Sequence, residues 1–292
     1  PTIGKPEIIE RANPEPLKRF WRDWYRPDLM AVVAVGDADP SQLERLIRAT
    51  FGGIPKRTAA RPRTQPGIPA HDSTLVTIAT DKELTTSSVS VLWKRPASST
   101  RTVGDLRNDL IEQLYNGMLS QRFQELALKP ETPFTGAGAS SGTFVRGCEV
   151  VSLDAGAKEG RLIETLRAVL TEAERVQRHG FLPSELERAR TSTLRAYERA
   201  FAERDKTSSE SFVDEYVSNF LSGEGSPGIA FEYAAVRKLL PAITLAEVNA
   251  VSAGRSGAAN RVVAVSVPEK AGLAVPTEAE VRAVFGTVMA AN

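Results

Sequence analysis

Apolar positions along the chain follow two periods, and the switches between them mark out the elements. Residues 74–79 and 87–93 alternate, with Val89, Val91 and Trp93 on one face, which predicts two strands. From Thr102 or Val103 the period lengthens. Leu106, Leu110, Leu114 and Met118 then recur on one side, widened by Ile111 and Leu119, and predict a long helix that Lys129-Pro130 ends. A Gly-, Ser- and Thr-rich stretch at 135–143 and apolar residues around Val150, Val151 and Leu153 predict a strand pair, the first weakly specified. Leu162, Leu166, Val169, Leu170 and Val176 form the face of a further helix closed by His179-Gly180. Helical pattern resumes from 183 to 221 with a break near 206–209, and a loop follows at 223–228. Two shorter helices come next, the second capped by Thr244 with Glu247 three residues on, then a strand at 261–267 and a helix at 277–290 that also opens on Thr-x-x-Glu.

The first third has its own pattern. Ile8 and Ile9 predict a turn or short helix, and Asn13 with Pro14 caps a helix through Leu17, Phe20, Trp21 and Trp24. Residues 29–35 are an apolar run between Pro27 and Gly36, which predicts a buried strand. Asp39 is then placed as an N-cap, with Pro40 first and Gln42 third in a capping-box arrangement, and Leu43, Leu46, Ile47 and Phe51 follow at helical spacing. Residues 14–35 and 243–267 both read as helix then apolar strand, a coarse internal repeat. Between the two halves, 52–72 is rich in Gly, Pro and basic residues without periodicity and reads as a linker. The expected fold is α+β, a mixed sheet packed by helices.

Length and charge narrow the function classes. A chain of 292 residues with 41% apolar residues suits two domains with a sizeable core. Net charge of +1 gives no field for nucleic acid, so none is expected as a partner. No apolar run approaches the ~20 residues of a membrane-spanning helix. The single Cys148 rules out an internal disulfide framework. The start at Pro1, without an initiator Met or apolar leader, suggests a piece of a longer chain.

Candidate chemistry is sparse. His71 and His179 are the only histidines, and neither has a Glu or Cys at metal-ligand spacing. There is no G-x-S-x-G, P-loop or strand-G-x-G-x-x-G-helix arrangement. Gly136-Ala137-Gly138 and Ser140-Ser141-Gly142 lack the helix a phosphate cradle needs and read as a flexible strand edge. Cys148 reads as a small buried filler. Asp81 and Glu83 read as turn carboxylates, and Asp37 and Asp39 as turn and cap. Glu185, Glu187 and Glu198, among Arg188, Arg190 and Arg195, read as a solvated face laced with ion pairs.

One succession is more specific. P-T-I-G-K-P-E-I-I at 1–9, F-W-R-D-W-Y-R-P-D-L-M at 20–30 and V-G-D-A-D at 35–39 resemble the closing third of a catalytic domain in the pitrilysin/insulinase-type zinc metallopeptidases, a pattern shared with the mitochondrial processing peptidases. Met118-Leu119-Ser120-Gln121-Arg122-Phe123, Gly180-Phe181 before Glu185-Leu186, and Leu239-Leu240-Pro241-Ala242-Ile243-Thr244 extend the resemblance over nearly the whole chain. It is greatest to the bacterial type whose long chain holds four such domains. The resemblance implies homologous α/β domains, in two halves that close around an unfolded peptide. It also implies a zinc site built on an inverted H-x-x-E-H with a later Glu.

This sequence departs from that pattern. It contains no H-x-x-E-H, and family order puts the zinc helix and the later Glu before Pro1. The helix at 103–126 stands in the equivalent place in the second domain but reads Asp105-Leu106-Arg107-Asn108-Asp109-Leu110-Ile111-Glu112, with no ligand set and carboxylates that look surface-facing. The family's substrate-binding Arg and Tyr, seven apart in L-R-x-K-x-x-x-x-Y, correspond here to Ala127 and Phe134, which offer neither guanidinium nor hydroxyl. The resemblance therefore implies no catalytic, substrate-binding or metal residue in this chain. Residues 1–55 would end the zinc-bearing domain, 56–72 link, and 73–292 form a second, non-catalytic domain walling the peptide chamber. Expected partners are the rest of the same polypeptide or a homologous half and, in the parent, a peptide substrate. Zinc is expected in the parent, and family resemblance favours the bacterial periplasm. The alternative is a scaffold subunit of an inactive relative.

Overall fold

A computed structural model of the chain describes residues 4–56 and 61–291. Pro1–Ile3 of the family motif and 57–60 of the expected linker lie outside them. The described residues divide into two compact units. The smaller takes in those up to Pro66 together with Lys206–Ser226, and the larger takes in Gly67–Asp205 and Pro227 onward.

The smaller unit holds α1 (Pro6–Arg11), α2 (Pro14–Trp24) and α3 (Pro40–Phe51). The Asn13 side chain accepts from the Glu15 N–H, and Asp39 caps α3 through the Ser41 N–H at 3.0 Å. Gln42 returns no side-chain bond to Asp39, so the cap is single rather than a box. Residues 29–35 are not a strand. Met30 is extended (φ −120°, ψ 148°), yet the segment pairs with no strand among the described residues and Val32 is 45% exposed. Apolar alternation sets which face a strand would bury, but a strand also needs a neighbour for its N–H and C=O groups. The expected repeat of this run with the strand at 261–267 fails for the same reason.

The larger unit is built on a five-stranded mixed sheet: β1 (Leu75–Asp81), β2 (Ser87–Pro96), β3 (Phe134–Val145), β4 (Cys148–Ala157) and β5 (Arg261–Pro268). Its order is β1-β5-β2-β4-β3. β1 and β5 run parallel and every other pair antiparallel. The Gly/Ser-rich β3 forms an edge, with register shifts near both ends, in keeping with its weak pattern.

Long helices supply the core's other layer. α4 (Val103–Ala127) starts on a complete capping box, in which Asp105 N–H donates to Thr102 Oγ1 and the Asp105 carboxylate accepts from the Thr102 N–H. It buries Leu110, Leu114, Tyr115, Met118, Leu119 and Phe123. α5 (Leu162–His179) buries Leu166, Val169 and Val176 and ends at Gly180, whose φ of 71° is one a β-carbon disfavours. α6 (Pro183–Ala202) and α7 (Ser209–Ser222) are split by a short 3₁₀ turn where the break was expected, and α7 belongs to the smaller unit. α8 (Ile229–Leu239), α9 (Leu245–Ala250) and α10 (Glu278–Ala290) complete the chain, the last two on capping boxes from Thr244 and Thr277.

Alternation divides the sheet cleanly. Val89, Val91, Trp93, Leu153, Ala155, Val263, Val265 and Val267 are buried on the helix side. On the opposite face, aligned rows read Leu75-Val262-Leu92-Ser152-Ser140 and Thr77-Ala264-Ser90-Asp154-Gly138. That face is mixed, with Leu75, Val262 and Leu92 in one row and mostly short polar side chains around Asp154 in the rest.

Candidate functional site

Polar and charged side chains gather on the sheet face around Asp154 and in two charge clusters anchored on α4. On the sheet face, Asp154 accepts from Ser90 and Ser152 hydroxyls at 2.6 Å each, and Ser152 pairs with Ser140 at 2.8 Å across the strands. Asp154 is exposed, and no histidine among the described residues lies beside these hydroxyls to take a proton from them.

The first cluster centres on Glu112. Arg95 on β2 grips it bidentately, Nη1 and Nη2 each 2.7 Å from a carboxylate oxygen, and Arg255 Nη2 donates to Glu112 Oε1 at 3.2 Å. Arg95 Nε reaches Glu149 at 2.9 Å, whose other oxygen takes the Ser98 N–H and hydroxyl. Arg255 also donates to Asn116 Oδ1 and lies 4.4 Å over the Tyr115 ring. Burial pushes the Glu112 carboxyl up, but the Arg95 and Arg255 guanidinium groups outweigh it and hold it below the usual range. Burial pushes the Tyr115 hydroxyl up and draws Arg255 down. Glu112 is thus not the surface carboxylate its position suggested. It holds the middle of α4 to β2 and to the 3₁₀ turn Val251–Arg255.

The second cluster centres on Arg122, one turn from the end of α4. Nε and Nη2 clasp Glu185 at 2.7 and 2.9 Å, Nη1 reaches Glu172 at 3.0 Å, and the guanidinium sits 5.0 Å over Phe181. Glu172 also pairs with Arg175 at 2.6 Å, and Glu185 accepts from the Leu182 N–H. Burial raises the Glu185 carboxyl, but Arg122 and the Leu182 N–H bring it below its ordinary value. Glu185 is therefore not on a solvated face; it ties α6 to α4 through Arg122, which also holds Glu172 on α5. The Glu187–Arg190 pair does stand at the surface, while Arg190 also donates to the Ile243 carbonyl.

The other candidates sort by position. Phe134 is fully buried with its ring edge-on to Phe123 at 6.4 Å, and the partly buried Ala127 packs against the same core. Cys148 is buried. Glu83 N–H donates to Asp81 at 2.8 Å, a turn as expected. His71 Nδ1 lies 2.7 Å from the Ser73 carbonyl, and His179 is exposed at the end of α5. No three His, Cys, Asp or Glu side chains among the described residues gather closely enough to hold a metal, so these residues do not fit a zinc site. The buried Glu149, Glu172, Arg255 and Arg261, and the half-buried Arg95, were missed by sequence reading, because nothing local to a charged residue states that its partner lies on a distant element.

Residues 11–193 match the family model described as the Peptidase M16 inactive domain. The chain belongs to the M16 peptidase family. It is 29% identical over 253 residues to a zinc protease PQQL-like of Arabidopsis thaliana, covering 86% of this chain and 23% of that protein. It is 24% identical over 210 residues to the probable zinc protease PqqL of Escherichia coli (strain K12), covering 70% and 22%. The chain thus spans less than a quarter of these relatives. In fold it matches the crystal structure of the periplasmic protease PqqL from Escherichia coli with a TM-score of 0.86 at 19% identity, over 99% of this chain and 32% of that one. The structure of the first half of that protease gives 0.85. The expected zinc-metallopeptidase resemblance and α+β fold are correct, and the chain is an inactive M16 domain resembling part of a PqqL-type zinc protease.

Proposed function

We propose that this chain is a non-catalytic wall of a chamber in which a zinc metalloprotease encloses peptides. The observation that carries the reading is the helix α4, which stands where the family places its zinc helix. Here its carboxylate Glu112 is held by two guanidinium groups instead of facing a metal. A wall needs a broad surface without competing chemistry, and the sheet face around Asp154 has that character. On this reading 1–55 end a zinc-bearing domain, 56–72 are a linker and 73–292 form the second domain. Support comes from the lack of helix or strand in 61–72 and from the division of the described residues after Pro66. Zinc belongs to the parent, the partner is the remainder of the same polypeptide, and the compartment is the periplasm, following the PqqL likeness.

The test is the coding sequence upstream of Pro1 together with the activity of the full-length product. An H-x-x-E-H with a later Glu, and zinc-dependent peptide cleavage abolished by changing that Glu, support the reading. A full-length product lacking the motif and any cleavage overturns it in favour of a scaffold.

A further inference from the structure

We propose that the cavity between β2, the 252–257 turn, α5 and α10 is a binding site for a small carboxylate held by Arg261 and Arg255. The cavity measures about 110 Å³ and is walled by Trp93, Tyr115, Leu170 and Phe285. Arg261 is 8% exposed, and its side chain donates from Nε to Thr74 Oγ1 at 2.8 Å, its one side-chain hydrogen bond among the described residues. Its guanidinium lies 3.8 Å over the Phe285 ring, and it makes no ion pair among the described residues. The charge that acts on it most is of the same sign, from Arg282. Arg255 is 9% exposed; Glu112 and Asn116 occupy its terminal nitrogens, and its Nε is buried without a partner.

Buried guanidinium groups are normally matched by carboxylates, because desolvation is costly without a counter-charge. Here the missing counter-charge and the empty volume coincide. A planar carboxylate suits a guanidinium fork, and the apolar walls accept a short alkyl stem. Trp93 Nε1, tied to the Gly257 carbonyl by a long 3.4 Å contact, is a further donor at the wall. Glu174 also lines the cavity and pairs with Arg178 at 2.7 Å. Its charge disfavours a dianion, which selects a monovalent ligand. Ser256, Gly257 and Gln177 are exposed among the lining residues, so ligand enters beside them. The ligand is either a free short-chain acid or the C-terminal carboxylate of a peptide. The site stands whether or not the parent is a protease.

The test titrates the ¹⁵N-labelled chain with sodium acetate, with sodium chloride at matched ionic strength, and with acetyl-Gly-Val carrying a free or an amidated C-terminus. The chain has three Trp indole signals. One of them should shift and saturate, with Kd on the order of millimolar for one charged contact. Arg261→Gln should weaken binding at least tenfold and Arg261→Lys less. Saturation by acetate alone identifies a free acid as ligand; saturation by the free but not the amidated peptide identifies a chain terminus. No saturable shift, an equal response to chloride, or full affinity in a folded Arg261→Gln variant overturns the proposal. Should that variant not fold, the wild-type titrations decide alone.

Discussion

Replacing Glu112 by Gln keeps the shape of the side chain and removes its charge, so it isolates what the charge contributes. Arg95 then loses an ionic bidentate partner at 2.7 Å but keeps Glu149 at 2.9 Å. Arg255, whose side chain is 5% exposed, keeps Asn116 and the Tyr115 face but loses its only carboxylate among the described residues. A hydrogen bond to a charged group contributes about 1.5–3 kcal/mol, and breaking a buried pair costs about 3–5 kcal/mol. The retained partners and the partial exposure of Arg95 reduce this to about 2–3 kcal/mol at pH 7. The assay is urea unfolding followed by Trp93 fluorescence in a Trp21→Phe, Trp24→Phe background, which reports on the larger unit separately. The pH dependence carries a sign. The folded Glu112 pKa lies below the unfolded value, so its stabilisation is complete above the unfolded pKa and disappears as pH falls through the folded one. The gap between wild type and variant should therefore be full at pH 7 and close in the acid range below about pH 4. A difference under about 1 kcal/mol at pH 7, or a gap that widens on acidification, refutes the structural role of Glu112.

Phe134→Tyr, which restores the family's residue type, should destabilise the larger unit by about 1–3 kcal/mol, because the hydroxyl enters a closed core; it should confer no peptide binding in isothermal calorimetry. Gly180→Ala should cost about 2–3 kcal/mol in denaturant unfolding. Its φ is 71°, and its new β-carbon would lie 2.5 Å from the Asn249 amide that accepts the Phe181 N–H. Val32→Asp should change stability by less than about 0.5 kcal/mol, since the side chain is exposed. The same substitution at Val263, which is fully buried in β5, should abolish the thermal transition of the larger unit.

Elements set by neighbouring residues were legible in the sequence. The Thr244 and Thr277 boxes join residues three apart, and the β2 alternation follows from the pleat alone. Properties set by distant residues were not. Residues 29–35 have the composition of a strand, but strand formation depends on a partner that composition does not specify. Glu112 sits three residues after Asp109, whose carboxylate is exposed and bonded to Thr100. Only Arg255, 143 residues away, and Arg95 on β2 decide that one is internal and the other not. The family resemblance placed Ala127 and Phe134 at degenerate positions, and the fold adds that Phe134 is core.

The most direct test of the non-catalytic role is to incubate the purified chain with zinc and a mixture of unstructured peptides and follow the products by mass spectrometry. The account predicts no cleavage at any zinc concentration that leaves the chain soluble. Metal-dependent cleavage that persists through repurification and is lost in a His71→Ala, His179→Ala double variant would contradict it.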